Sequence, residues 1–106
     1  MSYRFMRLIV FFDLPTETAE DRRNYRKFHT GLVKNGFIMM QESVYCKLLM
    51  NTTADRSARE AVRRIRPPRG IVQLLTVTEK QFSAIEYLTG EFRSDILSTD
   101  ERLVVL

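Results

Sequence analysis

The stretch Leu8–Phe12, which reads LIVFF, constrains this chain more than any other. Met6, Leu8, Val10 and Phe12 alternate onto one side of an extended segment, and Ile9 and Phe11 fall on the other. A strand that is apolar on both sides needs cover on both sides. The run then ends in a carboxylate, Asp13, and Pro15 stops the strand. Thr16 or Thr18 can cap a helix that follows, and Glu17, Glu20 and Asp21 suit its positive N-terminal end.

That first helix is predicted to run to about Asn35, with Gly36 as the residue just past its end and Tyr25, Phe28 and Leu32 as its apolar stripe. Residues 37–50 are too many for one ordinary strand, so two strands are expected with a tight or bulged break near Gln41–Ser43. Residues 51–68 open with capping residues and close at Pro67–Pro68, which reads as a helix with Ala58, Val62 and Ile65 facing the core. A fourth strand covers 70–78. Thr78 and Gln81 have capping-box spacing and predict a short helix near 79–88, and Glu101–Leu106 reads as a last short strand.

The order is β-α-β-β-α-β, the ferredoxin-like α+β sandwich, in one domain over residues 1–106. Both helices of such a fold lie on one face of the sheet. With apolar residues on both sides of the first and fourth strands, the other face is expected to pack against a second copy about a two-fold axis.

Composition narrows the function classes. The chain is 44% hydrophobic and 28% charged, as an ordinary globular protein is, and has no run long enough to span a bilayer. The N-terminal stretch resembles a signal peptide only superficially, because its apolar run is short and lacks a small-residue cleavage site; the cytoplasm is the expected location. One cysteine, Cys46, excludes an internal disulfide and a cysteine metal cluster. Residues 1–76 carry 14 Lys and Arg against 7 Asp and Glu, whereas residues 77–106 carry 3 against 6. Thirteen of the 17 basic residues are arginine, whose forked donors match phosphate.

Asp13 has two readings. It merely terminates a strand or bonds a nearby backbone N–H, or it is a hard oxygen ligand for Mg²⁺, which often takes only one or two protein carboxylates. One carboxylate per chain becomes two where a dimer joins both first strands. His29 reads as structural or surface, and Cys46 as a small buried hydrophobe. No glycine-rich phosphate loop, CxxC or HExxH is present. The candidate nucleic-acid residues are Arg22, Arg23, Arg26 and Lys27 on the first helix and Arg59, Arg63 and Arg66 on the second, with Lys34 and Arg56 beside them. Solvated helix faces are the alternative. No aromatic pair on a central strand offers base stacking, so recognition of backbone phosphates fits better than sequence reading.

LIVFFDLP, a helix rich in Arg and Lys, and GFIMMQESVYCKL together resemble the small CRISPR-associated adaptation subunit, the second of the universal Cas proteins, and most of all its type II members. The resemblance implies a ferredoxin-like homodimer with sheets face to face and the C-terminal strand crossing to the neighbour. It implies that Asp13 is the catalytic and metal-binding aspartate, with one Mg²⁺ shared by two protomers in an endonuclease acting on RNA or double-stranded DNA. It further implies a spacer-acquisition scaffold that bridges integrase subunits and holds duplex DNA by its backbone. Phe12 stands where many members carry tyrosine, so a hydroxyl that would position a phosphate or water is missing. A small-molecule regulatory domain on the same fold is the competing class.

Overall fold

The computed structural model describes residues 5–91. Strand β1 (Met6–Asp13) is followed by helix α1 (Ala19–Lys34), strands β2 (Ile38–Gln41) and β3 (Val44–Leu49), helix α2 (Thr52–Ile65), strand β4 (Ile71–Thr78) and the one-turn helix α3 (Glu79–Ser83). The sheet order is β2-β3-β1-β4 with every neighbouring pair antiparallel, as in the ferredoxin-like fold.

Local chemistry sets the boundaries. Thr18 caps α1 through a reciprocal box: its Oγ1 accepts from the Asp21 N–H at 3.0 Å, and the Asp21 carboxylate accepts from the Thr18 N–H at 3.3 Å. Asn35 closes α1, and Gly36 follows at φ +87°, a conformation that costs glycine little. The expected break in residues 37–50 is a register shift between Met39 and Gln41, followed by Ser43 at φ 71°. Asn51 caps α2, and the helix stops one residue short of Arg66, before Pro67.

The third helix is shorter than the sequence suggests, ending at Ser83 rather than near 88. Its Thr78–Gln81 box forms as expected, but Ser83 turns its hydroxyl back onto the Glu79 carbonyl at 2.6 Å, a bond that competes with helix propagation. The strand expected over Glu101–Leu106 lies outside the described residues.

Leu8, Val10 and Phe12 of β1 pack with Tyr45 and Leu49 of β3, Phe28 and Leu32 of α1, and Ala58 and Val62 of α2 in one core. Phe12 is its aromatic centre, stacked on Tyr45 at 5.6 Å and meeting Phe28 and Tyr25 edge-on at 5.0 and 5.9 Å. Val72 and Leu74 of β4 close the core from the sheet edge. Gly31 lets the helices close up, since a Cβ there would sit 2.8 Å from Ile65 Cδ1. Asp55, Arg59 and Thr76 tie α2 to β4: Arg59 donates to Asp55 at 3.1 Å and to Thr76 at 2.7 Å, and Thr76 donates to Asp55 at 2.6 Å.

Candidate metal and nucleic-acid sites

Asp13 is the last residue of β1 and pairs with Ile71 across the β1–β4 ladder. It shares the parity of Ile9 and Phe11, so its carboxylate belongs to the face of the sheet away from α1 and α2. The side chain is exposed, and among the described residues it makes no side-chain hydrogen bond or ion pair. Asp13 does end the strand, as the plain strand-end reading has it, but without a side-chain bond to a nearby N–H among the described residues. Nor do three or more Asp, Glu, His or Cys side chains converge among the described residues. The donor type suits a hard cation, but one chain provides a single carboxylate, half of what a shared ion would take.

The backbone at Asp13 is held from two sides. Gly70, at φ +99°, brings the loop before β4 against it: a Cβ there would lie 2.8 Å from the Asp13 carbonyl oxygen and 2.7 Å from Leu14 Cδ2. Neighbouring Arg69 donates to the buried Asp21 carboxylate at 3.0 Å, tying this loop to the N-terminus of α1. Asp21 thus serves two purposes, cap and anchor, and is the one charged residue buried in the described structure. Nothing local in the sequence marks Arg69. Its partner is 48 residues away, and only the fold brings the two together.

Phe12 points the opposite way, into the aromatic cluster under α1. A hydroxyl added to that ring would enter the core, not the face that carries Asp13. The expectation that a tyrosine here would position a phosphate or water at Asp13 thus finds no support in the geometry. Tyr45, stacked on Phe12, has its hydroxyl hydrogen-bonded to His29 Nδ1, which gives the lone histidine a structural place. Burial, with the fields of Tyr25 and Glu42 added, pushes the Tyr45 phenol up to about 12.

The same open face carries the apolar residues the helices do not reach. Ile71, Leu75 and Leu48 are 57%, 50% and 44% exposed there. Its other end is covered by α3. Arg7 donates twice to Glu79, at 2.8 and 3.2 Å, and its guanidinium lies 4.3 Å from the centre of the Phe82 ring. Burial alone would lower the Arg7 pKa, but the bonds to Glu79 and Cys46 raise it overall. Cys46 lies beneath with Arg7 3.5 Å from its sulfur. Burial pushes its thiol up, against the lowering effect of Arg7, so it behaves as the buried hydrophobe its position suggested.

The basic candidates divide by environment. Arg22 donates to the Thr16 and Glu17 carbonyls at 3.0 and 3.1 Å, holding the loop between β1 and α1. Arg59 is committed to Asp55 and Thr76, and Arg63 to Glu60 at 2.8 Å. Arg23, Arg26 and Lys27 instead line an open groove between α1 and α2, together with Arg66, which also donates to the Arg63 carbonyl at 2.8 Å. Lys34 and Arg64 join them in the same groove. Helix periodicity could not identify this set, because it depends on how the two helices face each other.

One sheet, helices on one side, a carboxylate on the other that is unpaired among the described residues, and arginine along the helices: this is a small ferredoxin-like domain. Comparison with known proteins is specific. The profile of the family described as CRISPR associated protein Cas2 matches residues 6–85, and the chain belongs to that family. It is 52% identical over 101 residues to a protein of Treponema denticola named CRISPR-associated endoribonuclease Cas2, covering 95% of this chain and 100% of that one. A protein of the same name from Streptococcus mutans serotype c is 50% identical over 101 residues, covering 95% and 93%. A solved structure described as "Crystal structure of cas2" superposes with a TM-score of 0.57 at 19% identity, covering 84% of this chain and 91% of that one, which supports the fold. Among the described residues no helix is long and apolar enough to cross a membrane.

Proposed function

We propose that this chain is a homodimeric CRISPR adaptation protein with endonuclease activity at a site made by two Asp13 side chains. The observation that carries the reading is the shared face: Asp13 pairs with exposed Ile71, and exposed Leu75 lies further along the same face opposite Ile9, on the side of the sheet that α1 and α2 leave uncovered. Packing that face against a second copy buries the apolar residues and brings two unpaired carboxylates toward one seam. Relatives about half identical to this chain carry the name endoribonuclease, which supports phosphodiester hydrolysis as its chemistry.

In this reading the two Asp13 carboxylates hold Mg²⁺. The ion, when bound, supplies Lewis-acid polarisation of a phosphate and activation of water. Gly70 and the Arg69–Asp21 pair keep the Asp13 backbone fixed, so each carboxylate is presented without a mobile loop beneath it. RNA and double-stranded DNA are the candidate substrates. Arg22, Arg23, Arg26, Lys27, Arg59, Arg63 and Arg66 are the candidate backbone contacts, with Arg59 and Arg63 drawing on the capacity left by their ion pairs. Bridging of CRISPR integrase subunits during spacer acquisition follows as the cellular role.

Asp13→Asn is isosteric and should reduce Mg²⁺-dependent cleavage by at least ~10²-fold while leaving the fold intact, since an exposed, unpaired side chain is being exchanged. Cleavage at the wild-type rate in this variant, or a solution mass of one 12.5 kDa chain, would remove the shared site.

A further inference from the structure

Both carboxylate oxygens of buried Asp21 are used. Oδ2 accepts from the Thr18 N–H at 3.3 Å, within the cap of α1, and Oδ1 accepts from Arg69 Nη1 at 3.0 Å. The cap does not need a cation, because the Thr78–Gln81 box closes with a neutral side chain in the same role. Capping therefore explains Asp21 but not Arg69. The Arg69 side chain is 67% exposed, and so exposed a cation ordinarily gains little from holding one geometry.

What the pair joins gives it a purpose. Asp21 stands at the start of α1, where the loop that leaves Asp13 ends. Arg69 stands just before β4, whose first residue, Ile71, pairs with Asp13. Gly70 lies between them in the left-handed region, with its backbone against β1: a Cβ there would sit 2.8 Å from the Asp13 carbonyl oxygen and 3.1 Å from Leu14 Cα. Arg22 closes the loop itself through the Thr16 and Glu17 carbonyls. The space left between Leu14, Pro15, Pro67, Pro68 and the pair is about 10 Å³, at the lower limit for one water. A shift of Arg69 thus passes through Gly70 to the main chain of Asp13 with little slack.

We infer that Asp21 and Arg69 are positioning residues for Asp13, an ion pair that fixes the backbone from which the metal-binding carboxylate projects. The inference rests on the reading of Asp13 as a metal ligand and adds to it a specific pair of residues that sets how well the ion is held. Neither residue touches the ion or the substrate. Both act through the loop after β1 and the loop before β4, as outer partners of a ligand do.

The test titrates Mn²⁺, a paramagnetic stand-in for Mg²⁺, into wild type, Asp13→Asn, Arg69→Gln, Arg69→Lys and the double variant Asp21→Asn/Arg69→Gln, with bound ion read by electron paramagnetic resonance. Hydrogen exchange followed by mass spectrometry reads the amides of residues 14–18, and Mg²⁺-dependent cleavage of a labelled single-stranded RNA and a labelled duplex DNA gives kcat and KM. The expected result for Arg69→Gln is faster exchange over 14–18, Mn²⁺ affinity and kcat each ~10-fold lower, and KM within ~2-fold of wild type. Arg69→Lys keeps a cation for Asp21 and should recover most of the loss. The double variant should be no worse than Arg69→Gln, because both lose the same interaction. Should Arg69→Gln fail a circular-dichroism check of folding, Asp21→Asn breaks the pair from its other end and keeps an oxygen for the Thr18 N–H. A lower melting temperature with wild-type Mn²⁺ affinity and kcat would make the pair merely structural and overturn the inference. A raised KM with unchanged kcat and Mn²⁺ affinity would place Arg69 on the nucleic acid and overturn it as well. Either result leaves the Asp13 reading standing, provided that wild type binds more Mn²⁺ than Asp13→Asn does. No difference between those two proteins would overturn both.

Discussion

The two faces of this sheet are made by the same strands and are finished differently. Toward α1 and α2, Leu8, Val10, Phe12, Tyr45 and Leu49 are sealed in a core with no exposed member. On the other side α3 covers part of the end near Arg7 and Glu79, and Leu48 beside Arg7, Leu75 opposite Ile9 and Ile71 opposite Asp13 remain open. The closed face sets stability. On the proposed reading, the open face is where a second copy completes the site, and a carboxylate placed there makes chemistry depend on association. In a domain this small the core does not cover both sides of the sheet.

The comparison is tested hardest on the closed side. Phe28 is 1% exposed and sits against Phe12, so Phe28→Ala removes a ring from the centre of the core. Unfolding free energy should drop by about 3–5 kcal/mol. Urea denaturation checks this, and a loss below ~1 kcal/mol would mean that the core is not concentrated on this face.

The next effect also belongs to the closed side and is read by pH. The Tyr45 phenol titrates near 10 when unfolded and is pushed up to about 12 in the fold. Between these values the unfolded chain has released its proton and the folded one has kept it, so rising pH favours unfolding. The contribution is complete below pH 10 and is lost as pH climbs through about 12. A roughly hundredfold tighter hold on the proton in the fold makes the loss on the order of 2–3 kcal/mol. The measurement is the difference from Tyr45→Phe. That variant keeps the stacked ring, gives up the bond to His29, and should show a flatter alkaline limb.

How far the sequence reached follows the same division. Elements fixed by chemistry within four residues were legible: a threonine cap on α1, which the structure assigns to Thr18 rather than Thr16, the Thr78–Gln81 box, the Pro67 stop, the break before Ser43. So was the alternation in β1 that put Leu8, Val10 and Phe12 on one side and Ile9 and Phe11 on the other. What needed two distant elements to meet was not legible. Arg59 resembled its neighbours on α2 until Thr76, 17 residues on, turned out to hold it. Arg69 resembled a loop residue until Asp21 was found beneath it. The grouping of Lys34 and Arg64 with Arg23, Arg26, Lys27 and Arg66 depends on the close approach of the helices at Gly31 and Ile65, which no periodicity encodes. Phe12 shows the opposite failure: its orientation was legible from the strand, but the role imagined for a hydroxyl there ignored it.

The smallest expected effect on the folded monomer is the one that separates the faces most cleanly. Leu75 is half exposed on β4, opposite Ile9, and contributes little to the core of one chain. Leu75→Lys should therefore change the stability of the isolated fold by no more than about 0.5 kcal/mol, as exposed substitutions do. A charge buried without a partner at the centre of a sheet-to-sheet contact is costly, so the same change should convert a dimer to a monomer at micromolar concentration. Sedimentation velocity reads the mass, and chemical denaturation below the dissociation range reads the fold. If Leu75→Lys unfolds the chain, the open face is part of the monomer's own core. If it folds and stays dimeric, association uses another surface, and two Asp13 carboxylates have no reason to share an ion. Only a stable monomer that has lost Mg²⁺-dependent cleavage, while Asp13 itself is untouched, ties the apolar residues and the carboxylate to one seam.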